Sequence, residues 1–272
     1  MSAVEGVDPA RSRVFGEVAE AYDASRPGYA DALVSQVLAY ADLGGRPALE
    51  VGAGTGKATV QFAGRGVPLT CVEPDPRMAE VLRRNAAPYP HVRVEVGGFE
   101  EWEAAGRRFG LLFAATCWHW FAPERRWDLV HDALVPGGAV ALFWNPHGVL
   151  DPEVYEELAD VDRRFGVTGS PHGVPAATFG DEPGQGGEPF WPAGECRADG
   201  RFTDLTAFRY RQETRYGTER YLGFLASISS YRVLSAERLD GVLAETAKVL
   251  DARGGGIDML HVSDLFLARR RA

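Results

Sequence analysis

The chain predicts a doubly wound α/β fold on a mostly parallel, seven-stranded sheet, and three observations predict it. Five short, near-continuous apolar runs lie between positions 47 and 144, separated by amphipathic stretches. That is the pattern of a parallel sheet covered on both faces. A glycine-rich turn, Gly52-Ala53-Gly54-Thr55-Gly56, follows the first run directly. Two later apolar runs, at 206–216 and 260–268, bring the strands to seven. Over 272 residues, 45% hydrophobic and 25% charged side chains exclude wholesale disorder. The length is enough to bury a core without disulfides or structural metal.

The elements follow in order. From Arg13 to Tyr40 the pattern is helical, with Leu33, Val34, Val37 and Leu38 on one face and Asp31 near a helix start. Pro27 and Gly28 break it between Tyr22 and Tyr29. Strands are expected at Pro47–Val51, Leu69–Val72, Val92–Val96, Leu111–Thr116 and Ala139–Trp144. Helices between them carry Val60 and Phe62, then Met78, Val81 and Leu82, then Trp127, Val130 and Leu134. Asp151–Phe165 reads as one helix with an apolar stripe through Val154, Leu158 and Val161. Residues 166–200 read as loop, rich in Gly and Pro, with Phe179, Phe190 and Trp191 interspersed. A structureless stretch of that length is usually functional, and its aromatics need a surface to pack on. It is expected to form a cap over the sheet. Thr206–Tyr216 reads as a strand, Leu239, Val242, Leu243 and Leu250 mark a helix, and Leu260–Ala268 is a final strand. The expected division is a single domain: a helical lid over 1–45, a ligand-binding core over 46–150, a cap over 151–205, and closing strands and helix over 206–272.

Charge and cysteine usage exclude several function classes. Lys and Arg number 29 against 38 Asp and Glu, a net charge of −9, and no basic stripe is present. A nucleic-acid partner is therefore not expected. Cys71, Cys117 and Cys196 share no Cys-x-x-Cys spacing, and His91, His131, His172 and His261 show no metal-ligand spacing, so no metal is assigned. The opening residues lack a signal-peptide apolar core and no run reaches the ~18 residues of a membrane span. A cytoplasmic protein with no membrane partner is expected.

The glycine turn narrows the ligand. Such turns let a ligand approach the backbone closely. A nucleotide-binding Walker loop would need glycine at Val51 and a hydroxyl at Ala58, so that reading fails twice. A dinucleotide fingerprint would need glycine at Lys57, which weakens the dinucleotide reading and leaves it open. The pattern that remains, Glu50-x-Gly52-x-Gly54-x-Gly56, is the one class I methyltransferases use for S-adenosylmethionine. Glu73 ends the second strand about 20 residues past the first glycine, where a carboxylate can accept both hydroxyls of a ribose. That supports a nucleoside and does not choose between nucleosides.

On these residues the chain resembles the class I S-adenosylmethionine-dependent methyltransferases of small-molecule type, the group that includes the ubiquinone/menaquinone and trans-aconitate enzymes. The stretch from Phe15 through Tyr22 and Asp23, then Arg26-Pro27-x-Tyr29, is similar to that family's N-terminal lid. Phe99-Glu100-Glu101-Trp102 is similar to its adenine-contacting segment, and Cys117-Trp118-His119-Trp120-Phe121 to its His-Trp pair. Pro136-Gly137-Gly138 through Asn145 is similar to its fifth-strand signature, and 227–232 to its cap-adjacent helix. Two positions depart from it: Gly98 stands where relatives often carry an Asp near the adenine amino group, and Gly110 replaces an Asp entering the fourth strand. The first leaves the adenine contact to Glu100 or to backbone atoms.

The resemblance implies a Rossmann-like fold and a cofactor site drawn from Tyr22, Arg26, Glu50, Gly52, Gly54 and Gly56, then Glu73, Pro74, Phe99, Glu100 and Thr116. It implies in-line attack by the acceptor on the sulfonium methyl, with no protein nucleophile. His119 is the expected base, or else a wall of the pocket; a carboxylate acceptor would need no base. Trp120 and Trp144 are expected to wall the acceptor pocket and Arg232 to hold an anionic acceptor, with core packing and a structural ion pair as their alternative roles. A small, partly apolar acceptor is expected, O- or C-methylated, in a monomer or homodimer. Two other readings stand beside this one: a nicotinamide-dependent oxidoreductase, and a protein that binds S-adenosylmethionine without turnover.

Overall fold

A computed structural model describes residues 19–20, 23, 28–169, 171–183 and 191–272, without the side chains of Trp191 and Ser229. Among them one sheet of nine strands carries the fold. The strands are β1 (Ala48–Val51), β2 (Leu69–Glu73), β3 (Val92–Val96), β4 (Phe109–Ala115), β5 (Leu134–Trp144), β6 (His147–Val149), β7 (Val174–Pro175), β8 (Phe202–Gly217) and β9 (Gly256–Arg270). Strands β1 to β5 run parallel in the order β3-β2-β1-β4-β5. Residues 264–269 of β9 add antiparallel to β5, and β8 pairs antiparallel with β9 along nearly its whole length. The seven strands expected from the sequence are all present. The two extra ones are short: β6 pairs with β9 beyond the end of β5, and β7 pairs with β6.

The helices are α1 (Asp31–Ala41), α2 (Lys57–Ala63), α3 (Pro76–Ala86), α4 (Arg126–Ala133), α5 (Pro152–Phe165), α6 (Trp191–Asp199), α7 (Thr218–Ala226), α8 (Ser229–Arg232) and α9 (Ala236–Ala252). Alternation along the central strands sends side chains to two separate cores. Leu111, Phe113, Phe143 and Leu265 face α1 and α2, meeting Leu33, Val34, Val37 and Phe62. Leu112, Leu142 and Phe266 face the other way, toward Trp118, Trp127 and Val130. Strands β1 and β2 are buried at every position, which is why their sequences do not alternate.

The ends of β8 and β9 that outrun β5 support a third core. There Tyr216, Ile257 and Met259 meet Val154, Leu158 and Val161 of α5, Phe224 and Leu225 of α7, and Val242 and Leu250 of α9. A buried polar chain ties this helical layer together: Tyr231 donates to Asp162 at 2.7 Å, His172 lies 3.1 Å from the same carboxylate, and its other ring nitrogen meets the Tyr221 hydroxyl at 2.8 Å.

Residues 166–200 differ from the expected structureless loop. They hold β7, a 3-10 turn at Ala176–Thr178, and α6. Helix α6 packs on the α4 side of the sheet, burying Ala193 and Cys196 beside Trp127 and Phe202. Its Glu195 pairs with the buried Arg126 and accepts from Trp127 Nε1 at 3.1 Å. With Pro192 and Gly194 in its first turn, this helix has little helical signature in sequence. Phe179 finds its surface against Leu260 and Val262, whereas Phe190 lies outside the described residues. Helix α5, expected in the same cap, instead joins α7 and α9.

Candidate functional site

The glycine turn sits between β1 and β4, where the strand order reverses and open α/β sheets place their ligands. Gly52, Gly54 and Gly56 all have φ in the left-handed region, at 65°, 58° and 92°. A Cβ on Gly52 would lie 2.7 Å from Cys117 Sγ, and one on Gly56 would lie 2.5 Å from Leu82 Cδ1. These two glycines let neighbouring elements close on the turn. Gly54 is different: a Cβ there meets nothing nearer than Met78 Cε at 3.7 Å, so its open side faces the cleft.

Two buried carboxylates flank this turn: Glu50 of β1, which lines the cleft, and Glu73 at the end of β2, which is not among the lining residues. Glu73 Oε2 accepts the Gly54 N–H at 2.7 Å and Oε1 accepts the Asp75 N–H at 2.9 Å. Burial pushes its pKa up to about 7, against the lowering effect of those backbone donors. Glu50 is buried more deeply, and desolvation pushes it up to about 8 although Thr59 and Cys71 both donate to its Oε2. Among the described residues its Oε1 has no hydrogen-bond partner, nor has the buried Thr55 hydroxyl, and both residues line the cleft over the turn. Lys57, which lines this cleft, pairs with Asp23 at 3.2 Å.

The other expected cofactor residues fall into three groups. Tyr22 and Arg26 lie outside the described residues. Pro74 follows Glu73 and leads into Asp75, whose carboxylate caps α3 at the Arg77 N–H (2.8 Å). Phe99 is buried edge-on to Phe121, and Glu100 accepts from the Ala122 N–H at 3.1 Å, anchoring the turn before α4. Over Gly98 the Glu101 carboxylate, the end of an exposed side chain, folds to 2.3 Å from a Cβ built there, so a side chain at 98 would displace it. Thr116 ends β4 with φ of 59°, and its hydroxyl meets the Tyr29 hydroxyl at 2.9 Å. Tyr29 is held by Gln61 at both backbone atoms and stacks edge-on to Phe143.

A second cleft of about 260 Å³ opens beside the first, and Tyr29, Asn145 and His261 line both. Its floor comes from alternate side chains of β8: Tyr210, Gln212, Thr214 and Tyr216. Asn145 donates to the Gly28 carbonyl at 3.2 Å and accepts from Ser263 at 2.8 Å, which fixes its amide at the junction. His261 Nε2 meets the Tyr216 hydroxyl at 3.0 Å. Burial, aided by the Arg220 guanidinium, pushes its pKa down to about 4, so the ring is neutral near pH 7. The sequence offered no sign of this cleft, because its residues come from strands paired across about 50 positions.

His119, Trp120, Trp144 and Arg232 are not among the residues lining either cleft. His119 stacks on Trp120 in the 3-10 turn after β4, with its pKa lowered by burial and by Arg126. Trp120 and Trp144 pack against the α4-side core. Arg232 closes α8 in the helical layer. Among the described residues no group of three or more His, Cys, Asp or Glu could hold a metal, and no helix is long and apolar enough to cross a membrane.

Comparisons with known proteins agree with this geometry. Residues 48–138, from β1 through the turn before the buried part of β5, match the family model of a methyltransferase domain. An uncharacterized methyltransferase of Mycobacterium tuberculosis (strain H37Rv) is 35% identical over 131 residues, covering 48% of this chain. The chain spans about half of that relative, 51% of its length. Among solved structures, a candidate type II methyltransferase from Anaeromyxobacter dehalogenans superposes with a TM-score of 0.58 at 21% identity, over 90% of this chain and 97% of that one. A S-adenosylmethionine-dependent methyltransferase from Thiobacillus denitrificans, solved with S-adenosylhomocysteine, superposes at 0.52 and 14% identity over 95% and 98%. At these identities the two structures speak for the fold. The segment that holds the glycine turn, residues 48–138, is thus similar to a methyltransferase domain.

Proposed function

We propose that the chain transfers a methyl group from S-adenosylmethionine to a small, partly apolar acceptor, with oxygen or carbon as the methylated atom. The observation that carries this reading is the continuity of two clefts, one over the glycine turn and one floored by β8, through Tyr29, Asn145 and His261. The residues present fit the cofactor. Gly54 leaves backbone open to a ligand, Glu73 offers a carboxylate at a strand end, and the Glu50 carboxyl keeps one buried oxygen without a partner. A cationic amino group beside Glu50 would stabilise the ionised form that burial now disfavours.

When bound, the cofactor supplies an electrophilic methyl on a positively charged sulfur. The chain's own work is positioning and exclusion of water. Tyr29 and Asn145 are each fixed by hydrogen bonds to neighbouring elements, so the junction is a rigid place to orient an acceptor. The rings of Tyr29, Tyr210 and Tyr216 suit an apolar body, and Gln212 and Thr214 suit polar substituents. In this reading the proton of a hydroxyl or carbon acid passes to His261 rather than to His119. With Nε2–H donated to Tyr216, the neutral ring keeps an unpaired lone pair on Nδ1.

Calorimetric titration with S-adenosylhomocysteine, with NADH and NADPH in parallel samples, tests the cofactor. Micromolar binding of the first alone is expected; binding of a nicotinamide, or of none of the three, overturns the reading. Transfer of labelled methyl to an acceptor panel then tests turnover, and uniform silence with intact cofactor binding would favour a binding protein.

A further inference from the structure

The second cleft has an asymmetric charge. Arg220, in the first turn of α7, folds back over the Tyr216 ring with its guanidinium carbon 4.5 Å from the ring centre. Among the described residues it has no carboxylate partner, whereas the β8 arginines Arg215 and Arg209 pair with Asp258 and Asp264. None of the residues that line this cleft is acidic. In a chain of net charge −9, an arginine left unpaired at an acid-free cleft is an electrostatic exception.

Position along the cleft gives the arginine its meaning. Arg220 lines the second cleft and not the first, whereas Tyr29, Asn145 and His261 line both. The cation therefore belongs to the second cleft, over the ring of Tyr216, whose hydroxyl meets His261 of the shared junction. Guanidinium presents parallel N–H donors that match a carboxylate or a phosphate ester, and packing on an aromatic face holds its plane. Hydroxyl and amide groups of Thr214 and Gln212 lie on the same floor and can complete such a contact.

We infer that the second cleft binds an acceptor with an anionic group seated at Arg220 and its methyl-accepting atom held at the Tyr29–Asn145–His261 junction. The inference rests on the methyl-transfer reading for the second half of that statement, and on the cleft alone for the first. The anion is an anchor and takes no part in the transfer, and Arg220 is a specificity-determining residue rather than a catalytic one. An anion there also offsets the positive charge that now faces His261.

The test uses benzoate and phenyl phosphate as anionic probes and benzamide as a neutral probe of similar shape. Each is titrated into the full chain with and without S-adenosylhomocysteine, for wild type and for Arg220→Met, which keeps the apolar stem over Tyr216. At least one anion is expected to bind wild type tenfold or more tightly than benzamide. Arg220→Met is expected to erase that preference while changing S-adenosylhomocysteine affinity less than twofold, and Arg220→Lys to restore it in part. Equal binding of anions and benzamide, no anion binding at millimolar concentration, or a preference that survives Arg220→Met overturns the inference. Loss of S-adenosylhomocysteine binding in wild type would instead overturn the methyl-transfer reading, and the titrations without it still decide the anion site.

Discussion

The Glu73 carboxylate closes on the backbone of Gly54, accepting its N–H at 2.7 Å and so tying the end of β2 to the turn that follows β1. The contact is the meeting point of fold and site. It holds a desolvated carboxylate against the backbone of Gly54, which lines the first cleft. Burial has pushed that carboxyl to about 7, so near neutral pH it is poised between its two forms.

A ligand that donates hydroxyls to Glu73 must favour the ionised form, and its pKa must fall on binding. Binding S-adenosylhomocysteine at pH 7 is therefore expected to release protons, seen as a binding enthalpy that differs between buffers of different ionisation enthalpy. Glu73→Gln is expected to remove most of that release and to weaken binding about tenfold or more, since hydrogen bonds to a charged group contribute about 1.5–3 kcal/mol each. Unchanged release in the variant would take Glu73 out of the ribose site.

The same shifts set a pH dependence of stability in the free chain. Glu50 at about 8 and Glu73 at about 7 both lie above the ordinary 4.5, so the folded chain retains protons that the unfolded chain has given up. Their contribution is fully present below pH about 4.5 and is lost as pH rises through 7 to 8. Thermal unfolding of wild type is expected to fall across pH 5 to 8 more steeply than that of Glu50→Gln/Glu73→Gln, with the two curves converging at the acid end. Parallel curves would show that neither carboxyl is shifted.

The three glycines of the turn are expected to separate on substitution. Gly52→Ala and Gly56→Ala drive a Cβ into Cys117 and Leu82, on top of a left-handed φ. Each should cost roughly 2–4 kcal/mol, combining overpacking with the αL penalty. Gly54→Ala carries only the backbone penalty of about 1–2 kcal/mol, and its methyl enters open space over the cleft. Melting points and S-adenosylhomocysteine titrations should show Gly54→Ala as the best folded of the three and yet a poor binder. Full binding by Gly54→Ala would move the ligand off that turn.

The parallel half of the sheet was legible because its chemistry is local. Strands β1, β2 and β4 are buried on both faces and read as unbroken apolar runs, and the glycine spacing is confined to five positions. The second cleft was not legible for the opposite reason. Gln212 and His261 are register partners 49 positions apart, and neither carries a local signature that announces the other. Helix α6 escaped because a proline and a glycine sit in its first turn, and the contact that holds it, Glu195 to Arg126, spans 69 positions. The His-Trp pair at 119–120 was conspicuous in sequence; in the structure Trp120 packs against the α4-side core and neither residue is among those lining the two clefts.

Asp162 should act on the helical layer without touching the clefts. Its carboxylate receives Tyr231 at 2.7 Å and faces His172 at 3.1 Å, and burial with this anion nearby holds both Tyr221 and Tyr231 well above the usual tyrosine range. Asp162→Asn leaves the shape and replaces the carboxylate that Tyr231 donates to by a neutral amide, at a cost of about 1–3 kcal/mol, or roughly 2–4 °C of melting temperature per kcal/mol for a chain of this size. S-adenosylhomocysteine affinity should be unchanged, because none of these four side chains lines a cleft. Loss of affinity alongside the melting shift would mean that the layer controls the cofactor site.

His261 and His119 make opposite demands on one experiment. His261 lies at the junction of the clefts with its Nε2 at the Tyr216 hydroxyl, whereas His119 is not among the lining residues of either cleft. With an acceptor that must lose a proton, His261→Ala is expected to lower kcat by 10²-fold or more, the ordinary worth of a positioned base. His119→Ala is expected to stay within about threefold, and both should keep cofactor affinity. The histidine's own titration, followed by its ring proton resonances, supplies the cause. Burial is the larger reason for its low pKa of about 4 and Arg220 the smaller, with His147 the other ionisable ring beside it, 6.2 Å away. Arg220→Met should therefore raise the His261 pKa while leaving it below the ordinary 6.5. A pKa already near 6.5 in wild type would show a solvated ring, and equal loss of kcat from His119→Ala would return the base to the position that the sequence first suggested.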